Sequence, residues 1–140
     1  MELVKQENEL GCGVACVAAV LGRSYKNTLR LFPRNRAECR GFICKEIVQA
    51  LNRTGLKCEY KYIKPSLKDK IYKEGTIIFV QRSKKYPEGH YLVRASKKWM
   101  DPWINFPGKD RKAGFRKKLP GKAIYIIHQD RRFNGFKDEK

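Results

Sequence analysis

Long apolar runs are missing from this 140-residue chain. The longest, Val14 to Leu21, is far short of the ~20 residues that cross a bilayer, so no membrane-spanning helix is expected. The opening Met-Glu-Leu-Val-Lys-Gln lacks the basic-then-apolar order of a secretory signal, which makes the cytoplasm the expected location. Histidine is scarce, with two residues, and 14 Asp and Glu face 32 Lys and Arg. The spacings Cys12-x3-Cys16 and Cys39-x4-Cys44 lack the paired, short-spaced ligands of a zinc knuckle, so no metal is expected. Five cysteines cannot all pair within one chain, and in a reducing cytosol all five stay thiols. Repeats, low-complexity tracts and linkers are absent, and the length suits a single domain over 1–140.

What the chain has in excess is positive charge, +18 at neutral pH. A field of that size attracts acidic partners and polyanions and also keeps a small protein soluble. The basic residues are spread out, with short clusters at Lys84-Lys85, Lys97-Lys98, Arg111-Lys112, Arg116-Lys117-Lys118 and Arg131-Arg132. Such spread favours weak general affinity for RNA or another polyanion over the reading of a particular sequence. Among the basic residues stand Tyr60, Tyr62, Tyr86, Trp99, Trp103, Phe106 and Phe115. These can stack on bases, or they can be core and sheet residues.

Hydrophobic periodicity divides the chain in two. Residues 12–21 read as a helix stopped by Gly22, and Ser24 caps a short helix over 25–32 that ends before Pro33. Residues 34–41 read as a polar loop, and Phe42 to Arg53 as an amphipathic helix before Gly55. From residue 56 the pattern alternates. Strands are expected at 56–63, 76–81, 90–95, 99–102 and 123–127, with a short helix over 65–73. Residues 103–121 read as a long loop with room for one short strand, and His128 falls after the last strand. Helices over 1–55, a strand meander over 56–128 and a polar tail over 129–140 make an α+β fold with an antiparallel sheet.

Cys12 opens the first helix between Gly11 and Gly13. The positive end of a helix dipole favours the thiolate, which is the nucleophilic form of cysteine. The alternative is a small buried core residue. Flanking glycines lean toward the nucleophile, because they let a substrate approach closely. Cys16, one turn inside the helix, reads as packing. His90 starts a strand, and a hairpin about Ser96-Lys97-Lys98 brings Asp101 near it. A carboxylate there can accept the imidazole N–H and turn the other ring nitrogen toward a thiol. Gln6, in the loop before Cys12, can aim its amide at an oxyanion.

The segment Gln6-x5-Cys12-Gly-x-Ala-Cys-x-Ala-x-Val-Leu-Gly22 resembles the first motif of the bacteriocin-processing, papain-like cysteine peptidases that cut double-glycine leader peptides. Gly89-His90-Tyr91 and Asp101-Pro102 resemble the family's base and third triad member, and Gly41 to Gly55 is similar to its second long helix. Gly11 stands where the family carries an acid, and neither a transporter domain nor a phosphate-binding loop is present.

The resemblance implies a stand-alone papain-like fold, a bacterial setting and a hydrolase that needs no cofactor. It gives Cys12 the role of nucleophile, His90 of base, Asp101 of orienter and Gln6 of oxyanion donor. The substrate it implies is a peptide, and the +18 charge suits acidic flanks. Two alternatives stand beside this. One is a papain-like effector or toxin-type enzyme acting on another amide or acyl group. The other is a non-catalytic basic module that binds RNA or an acidic protein.

Overall fold

The computed structural model describes residues 1–34 and 41–130. Cys39, most of the expected 34–41 loop and the tail from residue 131 lie outside the described residues. Among the described residues the chain begins with three helices, α1 (Cys12–Leu21), α2 (Tyr25–Leu29) and α3 (Cys44–Arg53). Six strands follow: β1 (Cys58–Tyr62), β2 (Ile77–Val80), β3 (His90–Arg94), β4 (Trp99–Asp101), β5 (Gly114–Arg116) and β6 (Ala123–Gln129). A 3-10 helix over Pro65–Tyr72 joins β1 to β2.

Local chemistry sets the helix ends. Gly22 takes φ +68°, a left-handed conformation open to glycine, and the N–H groups of Gly22 and Arg23 return to Ala19 and Ala18 to close α1. Ser24 Oγ accepts the Asn27 N–H and starts α2. Glu46 Oε1 accepts the Ile43 N–H, so α3 starts at Cys44 rather than at Phe42.

The sheet is antiparallel throughout, in the order β1-β6-β2-β3-β4-β5. A plain meander over 56–128 is therefore corrected. Only β2 to β5 meander, while the last strand returns to lie between β1 and β2. β6 runs to Gln129, which moves His128 from a position after the sheet into its last strand. β-Branched and aromatic residues fill both faces of the sheet, which favours pleated pairing over a terminal loop.

Alternation decides which side chains reach which face. On the helix side, Tyr91, Val93 and Met100 pack with Val14, Val17, Ile47 and Leu51. On the other side, Leu92 and Trp99 pack with Ile71, Ile78, Val80 and Ile126. Burying each of these larger aliphatic side chains contributes about 1.5–3 kcal/mol. α1 lies on β3 and packs against α2 and α3. Among the described residues no helix is long and apolar enough to cross a membrane.

Candidate active site

α1 begins at Cys12, and its first intrahelical bond runs from the Ala15 N–H to the Gly11 carbonyl. The N–H groups of Cys12, Gly13 and Val14 thus have no earlier turn to donate to. Cys12 is partly exposed, whereas the next seven residues, Gly13 to Ala19, are buried. Cys16 is fully buried, and desolvation raises its thiol pKa well above the ordinary value. It is a packing residue, as its place one turn inside the helix suggests.

Gly11 and Gly13 are fixed by packing. A Cβ on Gly11 would lie 1.9 Å from the Tyr25 hydroxyl, which donates to Asn8 Oδ1 at 2.8 Å. A Cβ on Gly13 would lie 2.8 Å from Ile47 Cδ1. Close approach of a substrate is therefore not needed to explain either glycine.

Gly89 sets up the base. Its φ is +78°, and a Cβ there would stand 2.0 Å from the Phe79 ring. Glycine lets the chain turn tightly over Phe79 and enter β3 at His90. His90 Nε2 meets Asp101 Oδ1 at 2.7 Å, and both side chains are buried. The two residues lie diagonally across the β3–β4 ladder, whose register pairs Val93 with Met100. Nε2 is engaged by Asp101, which leaves Nδ1 as the free ring nitrogen. The Cys12 thiol is near enough to the imidazole to favour its charged form.

Three causes compete over the His90 proton. Burial lowers its affinity, the Asp101 hydrogen bond raises it, and Cys12 raises it further, for a pKa of about 9. At Asp101, burial favours the neutral acid, but the His90 bond and charge, the Trp103 N–H and Arg116 hold its pKa below the ordinary carboxylate value. Trp103 N donates to Oδ1 at 3.0 Å and Arg116 Nη1 to Oδ2 at 2.9 Å. The Tyr86 ring stacks on His90, with centroids 4.5 Å apart and planes 2° from parallel.

Gln6 is buried beside this cluster, and its backbone N–H donates to the Pro102 carbonyl at 3.3 Å. Its side-chain amide donates to the Asn8 and Glu9 carbonyls at 3.0 and 2.9 Å, while Oε1 is buried without a hydrogen-bond partner. Both amide hydrogens of Gln6 are thus engaged inside their own loop.

A groove of about 380 Å³ lies beside Tyr91, the residue after His90, lined by Phe42, Ile43, Phe79 and Tyr125 among others. Tyr91 borders Gly13, the residue after Cys12, and Glu88 at the groove precedes Gly89-His90. Sequence reading singles out Gln6, Cys12, His90 and Asp101, and neither Tyr86 nor Arg116, as site residues. Tyr86 lies in a loop and Arg116 in a three-residue strand, so neither carries a periodic signal. Of the aromatic residues singled out for stacking on bases, Tyr86, Trp99 and Trp103 are core, whereas Tyr60, Tyr62 and Phe115 are exposed. Among the described residues no group of three or more His, Cys, Asp or Glu is arranged to hold a metal ion.

No family model matches the chain, and no curated protein matches its sequence. Solved structures do match. The peptidase domain of Streptococcus ComA, a bi-functional ABC transporter of a quorum-sensing pathway, superposes with a TM-score of 0.56 at 20% identity, covering 91% of this chain and 96% of that one. The peptidase domain of Streptococcus mutans ComA gives 0.54, also at 20% identity, covering 93% and 99%. This chain has their fold. The likeness spans nearly the whole chain and agrees with the papain-like α+β architecture expected from the sequence.

Proposed function

We propose that the protein is a cysteine peptidase that cleaves a peptide, with Cys12 as nucleophile, His90 as base, Asp101 as orienter and Gln6 with the start of α1 as oxyanion donors. One observation carries this: a buried His90–Asp101 pair whose imidazole is held in its charged form, with Cys12 at the first turn of α1 among the causes. The fold shared with ComA peptidase domains supports it.

An imidazole that keeps its proton up to about pH 9 holds positive charge beside the Cys12 sulfur throughout the neutral range. The sulfur attacks the scissile carbonyl carbon, and the carbonyl oxygen becomes the oxyanion. Backbone N–H groups at the start of α1 face that charge, each worth roughly 3 kcal/mol in comparable sites. Gln6 joins them by releasing one of its two loop carbonyls, whose hydrogen bonds cost little to exchange for one to an anion. His90 gives its proton to the leaving amine and then draws one from the water that hydrolyses the thioester. The peptide lies in the groove beside Tyr91, and a double-glycine leader is the substrate class the sequence motifs favour. The net charge of +18 suits acidic residues flanking the cut. Work in the cytoplasm on such a substrate needs no cofactor.

The test is mass spectrometry of peptides carrying Gly-Gly between acidic flanks, with and without the protein. Cleavage that disappears in Cys12→Ala is expected. Intact peptides accompanied by Cys12-dependent ammonia release would reassign the machinery to a side-chain amide. Intact peptides, no ammonia and salt-sensitive RNA binding that survives Cys12→Ala would leave only the basic-module alternative.

A further inference from the structure

Asp101 is completely buried, yet its two carboxylate oxygens have different partners. Oδ1 takes His90 Nε2 and the Trp103 N–H, whereas Oδ2 takes Arg116 Nη1. Arg116 comes from β5, whose register places it opposite Trp99 and on the same face as Asp101. Gly114 stands opposite Asp101 and offers no side chain there, so the guanidinium reaches diagonally to the carboxylate. A Cβ on Gly114 would meet Ile104 at 2.9 Å, which keeps β5 close. The guanidinium is anchored a second time, by Nε donating to the Lys118 carbonyl at 3.0 Å. A planar fork held at two edges fixes direction as well as charge.

The imidazole is confined from another side by Tyr86, parallel to it at 4.5 Å. Phe106 backs Tyr86 at 4.9 Å, Trp103 meets Phe106 at 4.7 Å, and Arg111 lies 4.8 Å over Trp103. Arg111 Nη1 then donates to the Glu7 carbonyl at 3.1 Å, beside Gln6. Tyr86 limits rotation of the His90 ring, but it does nothing to the carboxylate. The remaining loose joint is rotation of the Asp101 carboxylate about its own axis.

We propose that Arg116 is a positioning residue for the active site: by holding Oδ2 it locks the Asp101 carboxylate, and through it the plane and direction of the His90 ring toward Cys12. This deepens the peptidase reading and rests on it. Arg116 touches no reacting atom, so it acts through Asp101. A brace that merely neutralised a buried charge would matter to folding and leave the histidine's hydrogen bond as it was.

The experiment uses the full chain and two readouts. The first is the downfield ring N–H proton resonance of His90, which reports the bond to Asp101 whatever Cys12 does. The second is the second-order rate of Cys12 alkylation by iodoacetamide at neutral pH. In Arg116→Met the His90 resonance is expected to shift or broaden away, with alkylation slowed at least about tenfold. Arg116→Lys keeps the charge but cannot hold both Oδ2 and the Lys118 carbonyl, so it should recover the readouts only in part and leave alkylation at least about threefold below wild type. Full recovery would make charge alone the cause and overturn the proposal. A folded Arg116→Met with both readouts unchanged overturns the proposal. If that variant does not fold, Arg116→Gln decides: an unmoved His90 resonance overturns it, and a shifted one supports it. Should wild-type Cys12 react no faster than the other thiols, the nucleophile assignment fails instead, and the His90 resonance still judges Arg116.

Discussion

Two histidine–carboxylate pairs sit across neighbouring strands of one sheet, and they behave in opposite ways. His90 and Asp101 span β3 and β4 at 2.7 Å, both side chains nearly or fully buried. His128 and Glu59 are direct partners across β6 and β1 at 3.3 Å, each about one quarter exposed. The imidazole of the first pair is pushed up to about pKa 9. That of the second is pushed down: burial disfavours its charge, Glu59 opposes this, and Lys61 and Lys70 add repulsion. A cavity of about 530 Å³, larger than the groove beside Tyr91, adjoins His128 rather than His90. Neither a histidine beside an acid nor a large hollow marks the chemistry. What separates the pairs is the company of the carboxylate. Asp101 is clamped by Trp103 and Arg116, its histidine is stacked by Tyr86, and Cys12 adds to the causes that favour the charged imidazole.

Removing each histidine should widen the contrast most. His90→Ala is expected to reduce peptide cleavage by about 10³-fold or more, the scale of a lost general base. His128→Ala should leave cleavage within about twofold, as expected for a substitution away from the site. Steady-state kinetics on one cleaved peptide reads both.

The acids come next. Asp101→Asn should lower kcat/KM by about 10²-fold or more through loss of the orienting charge. It should also destabilise the fold by about 3 kcal/mol, because Arg116 loses a buried partner. Glu59→Gln, on a surface pair worth about 0–1 kcal/mol, should do neither. Urea titration beside the kinetic assay separates the two effects.

Gln6→Ala should cost about 10²-fold in kcat and leave the thiol reactive, if the amide serves the oxyanion. The carbonyls of Asn8 and Glu9 would lose their donors, so melting should also fall, by about 1–2 kcal/mol in stability. Unchanged kcat with lowered stability would make Gln6 a loop fastener only.

The pH effects are smaller and opposite in sign. The folded pKa of His90 lies above 6.5, so its stabilisation is complete below 6.5 and is lost as pH climbs from there through about 9. The folded pKa of His128 lies below 6.5, so its contribution is present above 6.5 and is lost as pH falls below it. Melting temperature against pH should lose its alkaline slope in His90→Ala and part of its acid slope in His128→Ala.

The smallest expected effect tests the stack. Tyr86→Phe keeps the ring over His90 and should hold cleavage within about twofold, whereas Tyr86→Leu removes an aromatic contact of roughly 1 kcal/mol.

The contrast was half legible in the sequence. Gly89-His90-Tyr91 at the start of an apolar strand, with Asp101 a hairpin away, points to the His90–Asp101 contact because both residues lie in strongly patterned segments. His128 was misplaced because His-Gln-Asp after Ile127 reads as a polar exit, whereas pairing with Glu59 and Cys58 carries the strand two residues further. Arg116 sits among Lys117, Lys118 and Gly114, where local composition signals a loop and only the β4 partner makes a strand. Gly11 and Gly13 were legible as special and misread in cause, since Tyr25 and Ile47 reach them from other helices.

The most direct measurement is time-resolved alkylation of the five thiols by iodoacetamide near neutral pH, read by peptide mapping in the wild type and in His90→Ala. Cys12 should be modified well ahead of the other four, with that lead lost when His90 is removed. Equal rates for all five thiols, or a lead at Cys12 that survives without His90, would contradict an active site built from this sulfur and this ring.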